Sequence, residues 1–151
     1  MDARFGRAMA VVAGLWAGVL LAIALIGAPA GFAVLAERAD AGRVAGHMFV
    51  REAYLSLGLA VVLFILERGR ARRAADEGQG SALSTELLLL AGVLFCTVAG
   101  YFALQPMMAA ARAGQGTLSF GALHAISTVF YGLKTSLVLV LAWRLSRPRA
   151  S

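Results

Sequence analysis

Four long apolar runs, separated by short polar segments, dominate the pattern of the chain. They cover residues 8–36, 44–66, 87–111 and 118–143. A helix needs about 20 mostly apolar residues to cross the roughly 30 Å hydrocarbon layer of a membrane. Each run is long enough, so the pattern predicts an all-α integral membrane protein built as a four-transmembrane-helix bundle. Residues 1–151 then form a single membrane domain, with a polar loop at 67–86.

The composition agrees with lipid as the solvent of this chain. Hydrophobic residues make up 60% and charged residues 15%, whereas soluble domains carry about 25% charged residues. The net charge is +6, but the basic residues lie at the ends of the apolar runs. They do not form the basic face with interleaved aromatic residues that is typical of nucleic-acid binding. We therefore expect a lipid bilayer as partner and no nucleic acid.

The distribution of arginines predicts the orientation of the bundle. Nine lie at the N-terminus, in the 67–86 loop or in the C-terminal tail: Arg4, Arg7, Arg68, Arg70, Arg72, Arg73, Arg144, Arg147 and Arg149. Three lie in the other two connections: Arg38, Arg43 and Arg112. Because basic residues are retained on the cytoplasmic side, we expect both termini and the 67–86 loop in the cytoplasm. The expected location is a bacterial inner membrane.

Local signals mark the ends of two helices. Pro29 is expected to kink or end the first helix, since proline removes a helical hydrogen bond. Ser84 or Thr85, followed by Glu86, is expected to cap the third helix. Arg4 and Arg7 before an apolar run also fit a cleaved signal peptide, an alternative that the length of the run disfavours.

Small residues recur every four positions along the first helix. They are Gly6, Ala10, Gly14, Gly18 and Ala22. This spacing places them on one face, where another helix can approach closely. We expect Gly14 and Gly18 to pack within the monomer, with the interface of a homo-oligomer or of a membrane partner protein as the alternative.

Polar residues inside the spans are the candidate functional groups, because an ionisable side chain costs at least ~2.5 kcal/mol at the centre of a membrane helix. Lys134 lies near the middle of the fourth run. Helical geometry gathers polar residues in sectors of about 60° to 80° on three helices. These sectors hold His124, Ser127, Tyr131 and Lys134; His47, Arg51, Tyr54 and Gly58; and Thr97, Tyr101, Gln105 and Met108. Glu52 projects outside its sector.

We expect these stripes to face inward and to form a ligand-binding cavity that opens on the outer side. Its candidate residues are His124, Ser127, Tyr131, Lys134, His47, Arg51, Tyr101 and Gln105. The alternative is that the same groups only bond one another and hold the helices together.

Metal or haem binding is a second candidate chemistry. His47, His124, Met107 and Met108 could bind copper(I), or the two histidines could bind haem. The chain has no HxxxH or CxxC spacing, and Cys96, its only cysteine, is expected to be a packing residue without a disulfide.

Short segments on three helices resemble a known membrane family. They are Gly14-Leu15-Trp16-Ala17-Gly18 and Ala28-Pro29-Ala30-Gly31-Phe32 on the first helix, Gly46-His47-Met48-Phe49 on the second, and Phe120-Gly121-Ala122-Leu123-His124-Ala125-Ile126-Ser127 on the fourth. The pattern is similar to that of the four-helix family of unknown function that includes transmembrane protein 205. The resemblance implies a four-helix bundle and points to Phe120, His124 and Ser127 as a site, without a reaction.

Two further families are similar over shorter stretches. They are the copper-resistance inner-membrane proteins and the four-helix protoporphyrinogen oxidases, whose lysine before a leucine-rich run resembles Lys134 to Leu141. The first helix here has no histidine, which departs from the haem-binding pattern.

The sequence therefore predicts a membrane protein that binds or passes a small solute or a metal ion through a polar cavity. A haem- or copper-binding redox protein and an accessory subunit of a membrane complex are the alternatives. A catalytic triad, a P-loop and a Rossmann fingerprint are absent from the sequence, so we do not expect an enzyme, although enzymatic activity stays open.

Overall fold

A computed structural model describes residues 3–147, and every regular element within this range is a helix. Helix α1 runs as an α-helix over Ala3–Ala22, as a π-helix over Ile23–Gly27 and as an α-helix over Ala28–Val34. Helix α2 spans Arg38–Asp76. Helix α3 consists of Thr85–Thr97, a π-helical segment Val98–Ala103, and Leu104–Arg112. Helix α4 spans Phe120–Ser146. All four are long and apolar enough to cross a membrane.

Each π-helical segment precedes a proline. Pro29 and Pro106 lie in the first turn of the α-helix that follows Ile23–Gly27 and Val98–Ala103, respectively. A proline cannot donate a backbone hydrogen bond, and its ring clashes with the carbonyl four residues earlier. In both cases that carbonyl lies inside the wider π-helical turn. Pro29 therefore does not end α1, which continues to Val34.

Serine residues begin two of the helices. The Ser84 hydroxyl accepts a hydrogen bond from the Leu87 amide at 3.3 Å, which confirms the predicted cap of α3. Ser119 caps α4 in the same way, accepting from the Ala122 amide at 3.2 Å. Both hydroxyls satisfy amide donors that have no partner within the first turn.

Helix α2 is longer than its apolar run. It continues from Leu66 to Asp76 because the added residues are mainly alanine, arginine and glutamate, which favour helix. The connection to α3 is therefore short, and it turns through Gly78 and Gly80, whose φ angles are +70° and +144°.

The four helices pack in a ring in which α1 and α3 each contact α2 and α4. Helices α2 and α4 face each other diagonally. The main apolar core is built from all four helices and includes Trp16, Leu63, Leu90 and Val138. We call the half of the bundle that contains this core the packed end. The start of α1, the end of α4 and the α2–α3 connection lie there.

The opposite half of the bundle is divided into two helix pairs. Residues 23–34 pack with the start of α2, where Gly27 lies against Met48, and residues 98–112 pack with the start of α4. The second pair has its own apolar core of Leu104, Met108 and Leu123. Within residues 3–147, backbone packing between the two pairs is nearly absent. We call this half the open end and the space between its two helix pairs the cleft.

Candidate functional site

A charged pair crosses the centre of the bundle. The Lys134 Nζ on α4 donates to both carboxylate oxygens of Glu52 on α2, at 2.7 and 2.8 Å. Each residue is only 3% exposed. Because α2 and α4 lie diagonally across the bundle, their backbones do not pack against each other. The long lysine side chain spans the distance between the two helices. The inward position predicted for Lys134 is confirmed, and its partner is Glu52.

Two further residues hold the carboxylate of Glu52. The Ser56 hydroxyl donates to Glu52 Oε1, and the Trp16 indole Nε1 donates to Ser56 Oγ at 2.9 Å. The network therefore joins α1, α2 and α4 and is buried throughout. No buried side-chain nitrogen or oxygen within residues 3–147 lacks a hydrogen-bond partner. A fully paired network of this kind fixes the geometry of the core.

An aromatic contact lies one helical turn nearer the open end. Phe49 and Tyr131 meet edge to face with ring centroids 5.3 Å apart. They stand three residues before Glu52 and Lys134 on the same two helices, so they cover the charged pair on the side of the cleft. The Lys134 ammonium also lies 4.8 Å from the centroid of the Tyr131 ring, a cation–π distance.

Two hydroxyls of α4 bind backbone carbonyls at or near the π-helical segments. Tyr131 donates to the Leu20 carbonyl at 2.9 Å, and Ser127 donates to the Gly100 carbonyl at 2.9 Å. A π-helical turn displaces carbonyls from their usual α-helical partners, so these bonds fasten α4 to α1 and α3. Both residues were predicted as ligand-binding groups, and here they join helices.

The orientation predicted for α2 is wrong by about half a turn. His47, Arg51, Tyr54 and Gly58 are exposed, whereas Glu52 is buried. The buried face of α2 carries small residues: Ala41, Ala45, Ala53, Ser56 and Ala60. Small side chains let neighbouring helices approach closely, and this packing decided the rotation of α2. In the sequence, the spacing of these alanines indicated which face of α2 is buried.

The remaining predicted residues do not meet in one cavity. Gln105, Met107 and His124 are exposed and Tyr101 is partly buried, while Met108 belongs to the small core at the open end. The His124 ring stacks on Phe120 with centroids 5.9 Å apart. Within residues 3–147, no three histidine, cysteine, aspartate or glutamate residues are grouped as metal ligands.

On the small-residue face of α1, Gly14 and Gly18 do not pack within the monomer, whereas Ala10 lies against the main core. Gly14 and Gly18 are exposed, and a Cβ atom added at either would meet nothing within 4 Å. The expectation of internal packing is therefore wrong, because the opposite face of α1, with Trp16 and Leu20, enters the core. Cys96 is buried and free, as expected of a packing residue.

The packed end carries a second charged cluster, which sequence reasoning missed. Glu67 is fully buried and accepts hydrogen bonds from Arg70 Nε at 2.7 Å and from Ser84 Oγ at 2.8 Å. Glu86 pairs with Arg144 Nε at 3.1 Å. The cluster ties the end of α2 to the start of α3 and the end of α4. Arg149, counted in the basic tail, lies outside the described residues.

Comparison with known proteins matches the chain to a protein family. Residues 11–117 match a family described as a domain of unknown function, DUF4149. The matched range includes Trp16, Glu52 and Ser56 and ends before α4. No curated protein and no solved structure matches the chain, and the likeness to the family of transmembrane protein 205 stays a prediction. Because the match covers more than half of the 151 residues, the chain belongs to the DUF4149 family.

Proposed function

We propose that the protein binds a small solute with a carboxylate group at Lys134, and that the solute enters through the cleft. The buried Glu52–Lys134 pair is the observation that carries this proposal. Two apolar side chains of similar volume in place of this pair would leave the folded bundle equally stable or more stable. Stability alone therefore does not account for the pair. Ionisable residues within membrane helices mark ligand or proton paths by default.

The geometry around Lys134 suits a carboxylate. Its ammonium contacts both oxygens of Glu52 at 2.7 and 2.8 Å, so Glu52 occupies the position that a solute carboxylate would take. Glu52 keeps its hydrogen bond from Ser56 if Lys134 turns away. The lysine can therefore exchange one carboxylate for another without leaving Glu52 unbonded.

Exchange of the Glu52 carboxylate for the solute carboxylate at the buried Lys134 involves a proton. Once the solute carboxylate pairs with Lys134, an ionised Glu52 would be an unpaired charge in a region of low polarity, which is strongly unfavourable. Glu52 then takes up a proton and stays neutral. Binding of the solute is thereby coupled to the uptake of about one proton.

Access from the cleft requires the Phe49–Tyr131 contact to part. The two rings belong to different helix pairs of the open end, and their edge-to-face contact is worth only about 0.5–1.5 kcal/mol beyond the area it buries. Separation of the two pairs would open the site at the cost of this contact, of the Tyr54–Phe102 edge-to-face contact and of the Tyr131–Leu20 hydrogen bond. A Phe49→Ala variant should therefore bind a probe solute faster than the wild type.

Isothermal titration of the purified protein in mild detergent tests the proposal. The probes are acetate, alanine and ethylammonium, measured in two buffers with different heats of ionisation. We expect binding of acetate with uptake of about one proton, binding of alanine with less uptake because its ammonium group can pair with Glu52, and no binding of ethylammonium. The Glu52→Leu/Lys134→Leu double variant should fold and bind none of them.

The matched control is Ser136→Ala, an exposed α4 position outside the network, which should bind as the wild type does. Binding of both carboxylates by the double variant, or equal binding of ethylammonium, would reject the site. If neither carboxylate binds the wild type while the fold is intact, the charged pair is a structural element and the proposal fails.

The exposed face of α2 favours an accessory subunit as the second candidate function. Arg51 is exposed within the apolar run 44–66 of the helix, where lipid cannot satisfy a guanidinium group. A protein partner that covers His47, Arg51 and Tyr54 would provide hydrogen-bond acceptors for the guanidinium group. Cross-linking from a photoreactive residue at Tyr54 in membranes tests this, with position 62 on the same helix as control. A specific adduct from position 54 alone would support the accessory role, and lipid adducts only would oppose it.

We also propose an orientation of the bundle in the membrane, with both termini in the cytoplasm. Arg68, Arg70, Arg72 and Arg73 on one side, against Arg38, Arg43 and Arg112 on the other, favour cytoplasmic termini in a bacterial inner membrane. A reporter that is active only in the periplasm should be inactive at the C-terminus and active when inserted at Gln115.

A further inference from the structure

A groove at the packed end lies between α2 and the start of α3. Its volume is about 330 Å³, and its lining includes Phe64, Leu87, Leu88 and Ala91. These side chains are apolar and belong to the membrane-spanning part of both helices. The α2–α3 connection contributes Leu83 at the rim. The groove is therefore a largely apolar trough between the two helices.

Two arginines stand at the end of this trough. Arg68 and Arg72 line it together with Phe64, and residues spaced by four lie above one another on one helix face. The face thus changes from apolar to basic over about 12 Å. Both arginines are exposed, and neither forms an ion pair with a carboxylate within residues 3–147.

Of the nearby acidic groups, Glu67 and Glu86 pair with other arginines, and Asp76, four residues after Arg72 on α2, forms no ion pair with Arg72 in the described part of the chain. Arg70 forms an ion pair with Glu67, and Arg144 forms one with Glu86. The positive charge of Arg68 and Arg72 is therefore available to a ligand. Trp143 is exposed at the same end of the bundle, with Arg147 stacked on its ring at 3.5 Å. Tryptophan and arginine together are typical of the level of lipid headgroups.

We propose that the groove binds one anionic phospholipid, with its phosphate on Arg68 and Arg72 and an acyl chain along Phe64, Leu88 and Ala91. Guanidinium groups bind phosphate oxygens through two parallel hydrogen bonds. The apolar trough matches an acyl chain, which a free phosphate lacks. This site is separate from the Glu52–Lys134 pair and does not depend on the solute proposal.

Native mass spectrometry of the full chain in neutral detergent tests the inference. The probes are phosphatidylglycerol and phosphatidylcholine with the same acyl chains, and inorganic phosphate is added as a competitor. We expect one phosphatidylglycerol bound in preference to phosphatidylcholine, and no displacement by millimolar inorganic phosphate. The Arg68→Gln/Arg72→Gln variant should bind phosphatidylglycerol about 30-fold more weakly, since each arginine near a lipid surface contributes about 1 kcal/mol.

Two further variants separate the groove from general charge attraction. Arg4→Gln/Arg73→Gln removes two exposed arginines that do not line the groove, and it should bind as the wild type does. Ala91→Phe fills the trough and keeps both arginines, so it should also weaken binding. Equal loss in the Arg4/Arg73 control, unchanged binding in Ala91→Phe, or competition by inorganic phosphate would each overturn the inference.

Discussion

Lys134 and Glu52 pair across the diagonal of the bundle, between two helices whose backbones do not pack against each other. The pair lies where α1, α2 and α4 meet, with Trp16 and Ser56 behind the carboxylate. An ion pair in this position either fixes the helices or serves a ligand. Measurements on the two residues separate these roles.

Removal of one partner should destabilise the bundle far more than removal of both. Lys134→Met leaves Glu52 buried without a counter-charge, and we expect a loss of about 3–5 kcal/mol in the free energy of unfolding. Glu52→Leu/Lys134→Leu replaces both charges by apolar groups and should be close to neutral. Unfolding by titration with sodium dodecyl sulfate measures both. A double variant as unstable as the single one would show that the pair itself holds the helices together.

Gly100 should tolerate no larger residue. A Cβ atom at this position would clash with the Phe130 Cβ, so Gly100→Ala should force α3 and α4 apart at a cost of about 1–3 kcal/mol. Gly132 on α4 has nothing within 4 Å, and Gly132→Ala is the control. The control should be neutral or slightly stabilising, because alanine favours helix. Thermal unfolding in detergent compares them, and equal stability of the two variants would contradict the close packing.

Cys96 should react with a maleimide only after unfolding. It is the only cysteine and is buried in the structure, so the folded protein in detergent should remain unlabelled over hours. A cysteine introduced at the exposed position Ser136, with Cys96→Ala, provides the positive control. Rapid labelling of Cys96 in protein with an intact fold would contradict its burial.

Ser84 should stabilise the packed end through two bonds at once. Its hydroxyl caps α3 by accepting from the Leu87 amide, and it donates to the buried Glu67. Ser84→Ala removes both, and we expect a loss of about 1–2 kcal/mol. Ser119→Ala removes a cap without a buried partner and should cost less. Hydrogen exchange at the start of α3 and of α4 locates each effect, and similar losses would argue against a role for the Ser84–Glu67 bond.

Much of the fold was predictable because helix formation depends on local pattern. The four apolar runs gave the number of helices and their order, and the serine at position 84 gave the start of α3. The helical continuation of α2 to Asp76 was missed because its residues are charged, although they favour helix. Neither π-helical segment was predicted, yet Pro29 and Pro106 in long apolar runs were signals for them.

The sequence by itself determined that Lys134 is exceptional, since a charge in the middle of an apolar run needs a partner in any arrangement of four helices. Only the tertiary structure decided that the partner is Glu52 and not a residue of the His47–Arg51–Tyr54 face. The rotation of α2 about its axis depends on which face packs, and its alanine face packs most closely against the other helices. Polar residues in a sequence therefore indicate a site, whereas the side chains that meet there depend on how the helices pack.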